Sequence, residues 1–269
     1  MPHELLLFGQ LPNSRHDQLL NILAGLAGAQ PQRIIERHVV YRPQRDPLQR
    51  QYAVGASQNV QTTQRATSRE QLAKDMHYWQ IVKELDETDF GSAQADGAAS
   101  TAEHARKEKA SPDAERKGWT IHFQDIPEPG QRPVNMRWVQ TTDIVAGDPH
   151  AHMKATMYNY VSEYVDEGYQ FVSKNAIILV HRILRLPTPE QPRDSPLESL
   201  PPFSDLQPLD KSGAYVVQVS IKIQDNYKPE TRDKAQNELL ALKGTLKGVL
   251  DLEPADRLAL DTRVKARPG

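Results

Sequence analysis

The pattern of apolar and polar positions predicts a chain made mostly of β-strands. The clearest case is "GAYVVQVSIKIQD", in which every second residue from Tyr215 to Ile223 is apolar and the residues between them are mostly polar. The run "AIILVHRILRL" is apolar on both faces, which is typical of a strand that is covered on both sides. Composition and length predict further strands at "HELLLFGQ", "QRIIERHVVY", "MHYWQIVKEL", "WTIHFQD" and "PVNMRWVQTTDIV".

Helical spacing predicts amphipathic helices near both ends of the chain. After Ser14, apolar residues recur at helical spacing as far as Leu26, and Gly28 stands where the helix should end. A last helix is predicted over residues 229–250. Its apolar stripe consists of Leu239, Leu242, Leu246 and Val249. Each of these helices could pack its stripe against a sheet.

The tyrosine-rich stretch "YNYVSEYVDEGYQF" fits a strand or a helix. As a strand it places Asn159 and Glu163 among the apolar positions of one face. As a helix it forms one apolar stripe, made of Met153, Met157, Tyr160, Val161, Tyr164 and Val165. We therefore predict a helix over residues 149–166, capped by Asp148 and ended by Gly168, with a strand after it.

Two segments have compositions that do not predict elements. Residues 91–118 contain no Val, Ile, Leu, Met or aromatic residue, and residues 187–212 contain seven prolines. We predict one domain over residues 1–269, with a disordered insertion at 91–118 and an extended Pro-rich linker at 187–212. A polar stretch at 42–68 is predicted to be a long loop. Because strands dominate, the expected fold is α+β: an antiparallel barrel of about eight strands flanked by amphipathic helices.

Composition narrows the classes of function. The net charge of −2 gives no general attraction to nucleic acid, so base stacking on Trp138 and Tyr158 is not favoured. The absence of cysteine excludes disulfides, thiolate metal sites and cysteine nucleophiles. The longest apolar run, residues 176–180, is too short to span a bilayer, and the N-terminus has no basic leader. We expect a soluble intracellular protein.

Motifs for catalysis are absent from the sequence. It contains no Gly-rich phosphate loop and no G-x-S-x-G. His150 and His152 do not share a helix face, so we expect solvated residues at a helix start rather than a metal site. His181 is predicted to be a hydrogen-bonded core or interface residue. The tyrosine cluster fits either core packing or a protein contact surface, and the interface candidates are Tyr158, Trp138 and His181.

Several long stretches together resemble one family. The run "HELLLFGQLP", followed by "RHDQLLNILAGLAG" and "QPQRIIERHVVYRP", resembles the N-terminal region of the fungal Mediator subunit 18 family of the head module. The resemblance recurs at "EGYQFVSKNAIILVHRIL" and at "DRLALDTRV". It covers most of the predicted folded part and fails in residues 91–118 and in the Pro-rich linker.

This resemblance implies a non-enzymatic coactivator subunit in the nucleus, without catalytic, cofactor-binding or metal-binding residues. It implies an antiparallel β-barrel flanked by helices, which pairs with Mediator subunit 20. A C-terminal helix of subunit 8 would tether that pair to the head module, through which the complex acts on the RNA polymerase II initiation machinery. The expected mode of tethering is a helix in a groove.

The alternative function is a metal-dependent triphosphatase of the tunnel-barrel type, because such enzymes use a similar closed barrel. They need inward-facing carboxylates that hold a divalent cation, and one group begins with Glu-x-Glu-x-Lys. Here Glu4 is followed at the two matching positions by Leu6 and Phe8. The two functions differ in whether carboxylates converge inside the barrel.

Overall fold

The computed structural model describes residues 2–44, 76–91, 118–130, 132–187, 193–224 and 228–264. Most of the predicted loop at 42–68 and most of the predicted insertion at 91–118 lie outside these residues. None of the described helices is long and apolar enough to cross a membrane.

The described strands form one antiparallel barrel. The strands are β1 (His3–Leu11), β2 (Gln32–Pro43), β3 (Trp79–Glu84), β4 (Trp119–Gln124), β5 (Asn135–Ile144), β6 (Tyr158–Ser173), β7 (Ala176–Arg185), β8 (Gln207–Pro208) and β9 (Tyr215–Ile223). Around the barrel the order is β6-β2-β3-β4-β5-β1-β9-β7, and the pairing of β6 with β7 closes it. The two-residue β8 adds to one edge of β7. The predicted antiparallel eight-stranded barrel is therefore confirmed.

Three helices accompany the barrel: α1 (His16–Ala27), α2 (Pro149–Ala155) and α3 (Pro229–Leu246). A 3-10 turn, Asn13–Arg15, precedes α1. Gly28 ends α1 in the left-handed conformation, with φ of 65°, as the sequence predicts. The carboxylate of Asp148 accepts a hydrogen bond from the backbone N–H of His150, which confirms the predicted cap of α2.

The tyrosine-rich stretch is a strand, so the prediction of a helix over residues 149–166 is wrong beyond Ala155. Strand β6 begins at Tyr158 and pairs with β2 on one edge and with β7 on the other. Met157, with φ of 66°, lies in the turn that separates α2 from β6. Two ladders of backbone hydrogen bonds thus outweigh a helical spacing of apolar residues.

A bulge and a buried ion pair explain why the sequence pattern of β6 does not indicate a strand. Val40 pairs with Ser162 but Tyr41 pairs with Tyr160, so Val161 is an extra residue and the face assignment changes there. Glu163 then points outward among apolar positions. Its side chain, which is only 2% exposed, pairs with Arg37. A polar residue in the apolar pattern is therefore satisfied by a distant partner.

Gly168 is a strand residue of β6 and does not end a helix. A Cβ atom at this position would lie 2.3 Å from the backbone oxygen of Val180 and 2.7 Å from the Cα atom of His181. The close approach of β6 to β7 therefore requires a residue without a side chain.

The largest core lies between one side of the barrel and two helices. The outward residues of β1, β9 and β7 pack with the apolar stripes of α1 and α3. Leu5, Leu7, Val219, Ile178 and Leu239 in this core are fully buried or nearly so. An eight-stranded barrel has an interior only wide enough for side chains, so both helices lie outside it.

The Pro-rich segment differs from the extended linker that the sequence predicts. Its described part lies against the outside of β2 and β6. Leu200 and Leu206 are buried in a cluster with Val165 of β6. Both backbone polar groups of Leu197 are bonded, the N–H to Glu163 and the carbonyl oxygen to Arg37. The prolines donate no backbone hydrogen bond, and the N–H of Leu197 is satisfied by a side chain.

Candidate functional site

The inner face of the barrel is rich in polar side chains. The strand registers place Glu4 of β1 level with Arg137 of β5 and Lys222 of β9, on the face opposite to the α1–α3 core. They likewise place Glu36 of β2 level with Asp166 of β6. We call the space enclosed by this face the barrel interior.

Glu4 and Arg137 form a buried ion pair at one side of the interior. Nε and Nη2 of Arg137 both donate to Oε2 of Glu4, at 3.1 and 2.9 Å. The two side chains are only 6% and 5% exposed. The pair joins β1 to β5, which share a register of only four residues. Each charge is neutralised by the other, so neither is available for an ionic ligand.

His38 lies between two acceptors inside the barrel. Its Nε2 is 3.3 Å from the carboxylate of Glu36 and its Nδ1 is 3.1 Å from the amide oxygen of Gln80. The ring stacks on Tyr164, with 4.9 Å between centroids. Burial lowers the pKa of His38, but the hydrogen bond and charge of Glu36 and the charge of Asp166 outweigh it and raise the pKa overall. The arrangement favours the imidazolium form.

His181 is paired with Asp166 inside the barrel. Its Nδ1 lies 2.8 and 2.7 Å from the two carboxylate oxygens of Asp166. Asp166 stands on the neighbouring strand β6, two residues before Gly168. The Nε2 atom of His181 is buried without a hydrogen-bond partner among the described residues. The structure thus gives His181 the hydrogen bond that the sequence predicts. Its role at an interface stays a prediction.

Ionisable side chains from strands that are not neighbours interact electrostatically across the interior. Burial raises the pKa of Glu36, but His38, His122 of β4 and His181 of β7 lower it overall. Burial, together with the charge of His38, lowers the pKa of His122 to about 4. His122 also contacts the hydroxyl of Thr120 at 2.9 Å. The interior therefore holds one histidine that favours its charged form and another that favours its neutral form.

The described residues contain no group of three or more His, Asp or Glu side chains that could hold a metal ion. Carboxylates do face inward, yet Glu4, Glu36 and Asp166 each have a basic partner. At the positions that a Glu-x-Glu-x-Lys tunnel would need, Leu6 is fully buried and Phe8 is partly buried. The arrangement can neutralise and orient its own charges, but it does not gather carboxylates around one point.

Two of the predicted interface residues belong to one aromatic row on the outside of the barrel. Trp138 lies 4.7 Å from Phe123, Phe123 lies 5.3 Å from Trp79, and Trp79 lies 6.1 Å from Tyr158, measured between ring centroids. Trp138 and Tyr158 are both partly buried. The row supports both interpretations of the tyrosine cluster, because its rings pack on one another and remain partly accessible.

His150 is not the solvated residue that the sequence predicts. Its Nδ1 forms a hydrogen bond of 2.7 Å with the hydroxyl of Tyr41, and its ring lies 5.0 Å from that of Trp119. Burial lowers the pKa of His150. His152, by contrast, is exposed. The histidine pair therefore does not act as a unit.

A groove lies between the end of α1, the β6–β7 turn and α3. Its volume is about 500 Å³. Leu26 of α1 and Ala241 and Leu242 of α3 supply its apolar wall. Lys174 and Lys234 lie at its rim and are exposed. We call this the α1–α3 groove.

Glu238 fixes one wall of the α1–α3 groove. Its carboxylate accepts the backbone N–H of Asn175 at 2.9 Å and the side-chain amide of Asn175 at 2.8 Å. These hydrogen bonds, first that of the Asn175 side chain, lower the pKa of Glu238. They tie the β6–β7 turn to α3, so the groove has a defined shape.

Sequence reasoning missed the paired charges of the interior and the α1–α3 groove. Glu4 and Arg137 stand 133 positions apart, so no local spacing could join them. The groove arises from three elements that are distant in the chain. One indication was present, because the polar face of β9 includes Ser220 and Lys222.

Comparison with known proteins identifies the family. Residues 3–263 match the model of the family described as Med18 protein. The chain belongs to this family. It is 38% identical over 266 residues to Mediator of RNA polymerase II transcription subunit 18 of Coccidioides immitis, covering 98% of this chain and all of that protein. It is 39% identical over 270 residues to the protein of the same description from Aspergillus fumigatus, with the same coverage.

A solved structure shares the fold of this Med18-family chain. It is a chain in the structure of the Schizosaccharomyces pombe Mediator head module, with a TM-score of 0.63 and 17% identity. The match covers 94% of this chain and 98% of that chain. At this identity the likeness shows the fold alone, and it agrees with the barrel that the sequence predicts.

Proposed function

We propose that this chain is a non-enzymatic subunit of the Mediator complex and acts in the nucleus in RNA polymerase II transcription. The observation that carries the proposal is family membership over nearly the whole chain, at 38–39% identity to fungal subunit 18 proteins. The barrel, its covering helices and its packed Pro-rich segment form a scaffold suited to protein contacts. The expected place of the chain is the head module.

The more detailed proposal concerns its partners. We expect a heterodimer with Mediator subunit 20 and a tether formed by a C-terminal helix of Mediator subunit 8. The aromatic row that includes Trp138 and Tyr158 supports a protein contact, since aromatic residues are enriched at interfaces. His181, which is partly buried and paired with Asp166, is the third interface candidate.

The alternative of a tunnel triphosphatase has little support from the interior. Three of its inward carboxylates, those of Glu4, Glu36 and Asp166, are held by Arg137, His38 and His181, each within hydrogen-bonding distance. A divalent cation would have to displace these partners, and the replaced residues Leu6 and Phe8 offer it no ligand.

A tagged form of the full chain, recovered from nuclear extract and analysed by mass spectrometry, tests the proposal. Recovery of head-module subunits in near-equal amounts is the expected result. Recovery of the chain alone, or together with RNA-capping factors, would contradict it. Hydrolysis of a triphosphate by the purified chain with a divalent cation would favour the enzyme.

A further inference from the structure

One exposed serine stands at the point where the Pro-rich segment is fixed to the barrel. Glu163 of β6 binds two residues of this segment with one oxygen. Its Oε1 accepts the N–H of Leu197 at 2.9 Å and lies 3.6 Å from Nη1 of Arg193. Residues 193–197 therefore form a short loop that is held at both ends by the same carboxylate. Ser195 is the middle residue of this loop, and it is exposed.

The residue after Ser195 gives it the sequence pattern of a phosphorylation site. Pro196 has no N–H, so a kinase pocket in which the N–H of that residue would stay unpaired favours proline over other residues. Proline also biases the residue before it toward an extended backbone, the form in which a peptide enters a kinase active site. Ser199 of the same segment is also exposed, but it is followed by Leu200 and lacks this pattern.

The charges around Ser195 predict what a phosphate would do there. The side chain of Arg193 is 28% exposed, and its distance of 3.6 Å from Glu163 is longer than a hydrogen bond. A phosphate carries nearly two negative charges, and a guanidinium can bind it with two parallel N–H groups. Glu163 keeps a second partner, because Arg37 donates to its other oxygen. Phosphoserine at this position would therefore draw Arg193 away from Glu163.

We propose that Ser195 is a phosphorylation site for a proline-directed protein kinase and that the phosphate loosens the loop of residues 193–197 from β6. In the reaction, Oγ of Ser195 attacks the γ-phosphorus of a nucleoside triphosphate. The new O–P bond replaces the bond to the nucleoside diphosphate, which leaves, and the hydroxyl proton passes to a base of the kinase. The inference does not depend on the proposed function, because it concerns only this loop and the kinase.

Phosphorylation of the purified, folded chain tests the site. The sequence has two other Ser-Pro or Thr-Pro pairs, which begin at Ser111 and Thr188, so both residues are changed to alanine in the test chain. With a cyclin-dependent kinase and Mg-ATP, mass spectrometry should find the phosphate at Ser195 and not at Ser199. The further change Pro196→Ala keeps the hydroxyl and should slow its modification about tenfold or more, because the pocket then meets an unpaired N–H.

A synthetic peptide of residues 190–200 controls for the activity of the kinase. If the peptide is phosphorylated and the folded chain is not, the folded loop shields Ser195 and the inference fails. An unchanged rate in Pro196→Ala also overturns it, because proline then does not select the site. The chain recovered from nuclear extract with phosphatase inhibitors should carry the phosphate at Ser195, and its absence there contradicts the proposal.

Amide hydrogen exchange measured by NMR tests the loosening. Phosphorylation should speed exchange of the Leu197 N–H severalfold. The N–H of Leu209, which is bonded to the carbonyl oxygen of Ile183 at 2.8 Å, is the control and should change little. In Arg193→Gln the guanidinium is absent, so exchange at Leu197 should be faster before modification and should respond less to it. Unchanged exchange at Leu197 after phosphorylation, or an equal response in Arg193→Gln, contradicts the proposed loosening.

Discussion

The two faces of one barrel wall differ in chemistry. The outer face of β1, β9 and β7 is apolar and lies under α1 and α3, with Leu5, Leu7 and Val219 almost completely buried. The inner face of the same wall carries Glu4 and Ser220, which are also buried. At Glu4 of β1 and Ser220 of β9, a step of one residue moves from the apolar core under the helices to a buried polar side chain of the interior.

The difference teaches that equal burial does not mean equal energetics. On the outer face, stability arises from apolar area removed from water, so each side chain contributes by its size. On the inner face, a buried charge is tolerated only together with its partner. Its contribution to stability is therefore a property of the pair and not of one side chain. Removing one side chain should therefore have different consequences on the two faces, and three sets of variants test this.

The largest effect is expected from breaking the inner pair. Arg137→Met keeps most of the side-chain volume but leaves the carboxylate of Glu4 buried without its partner. We expect the free energy of unfolding to fall by about 3–5 kcal/mol, because an uncompensated charge remains in the interior. Urea unfolding followed by circular dichroism measures it.

The double variant Glu4→Leu/Arg137→Met sharpens this test. Since it removes both charges, it should recover most of the lost stability and can exceed that of the natural chain. A loss of less than about 1 kcal/mol in the single variant would mean that the interior is hydrated, as for surface pairs.

A smaller effect is expected on the outer face. Leu239 of α3 is fully buried in the core beneath the helices, so Leu239→Ala removes apolar contacts and leaves a cavity. We expect a loss of about 2–5 kcal/mol, most of it set by how far the core relaxes. Leu258→Ala, at a residue that is 65% exposed, is the matched control and should stay within about 0.5 kcal/mol. Similar losses in both variants would contradict the assignment of the core.

The sequence predicts well those elements that local pattern determines. The alternation in β9 and the leucine stripe and Gly28 of α1 are local, and the structure confirms both. It does not predict β6, where the bulge at Val161 changes the face and Glu163 finds its partner far along the chain. Nor does a polar face of β9 tell whether it points to solvent or into a barrel, because only the covering helices decide that.

The smallest expected effect concerns the two inner histidines and pH. The pKa of His122 is lowered to about 4, so the folded state keeps it neutral while the unfolded chain binds a proton below about pH 6.5. His122 therefore destabilises the fold as pH falls from about 6.5 to about 4. His38 has a raised pKa, so its contribution is fully present below the unfolded pKa and is lost as pH rises through the folded pKa.

Opposite signs make His122→Gln and His38→Gln a matched pair. We would measure Tm between pH 4 and pH 8. As the pH falls, the Tm of His122→Gln should decrease less than that of the natural chain, with a difference of a few degrees. His38→Gln should fall more steeply there, because it loses a proton-linked stabilisation that Glu36 and Asp166 supply. Parallel curves for all three proteins would mean that both rings titrate as they do in water. The interior would then resemble a solvated surface. The inner and outer faces would differ in residue composition but not in the way that buried charges affect stability.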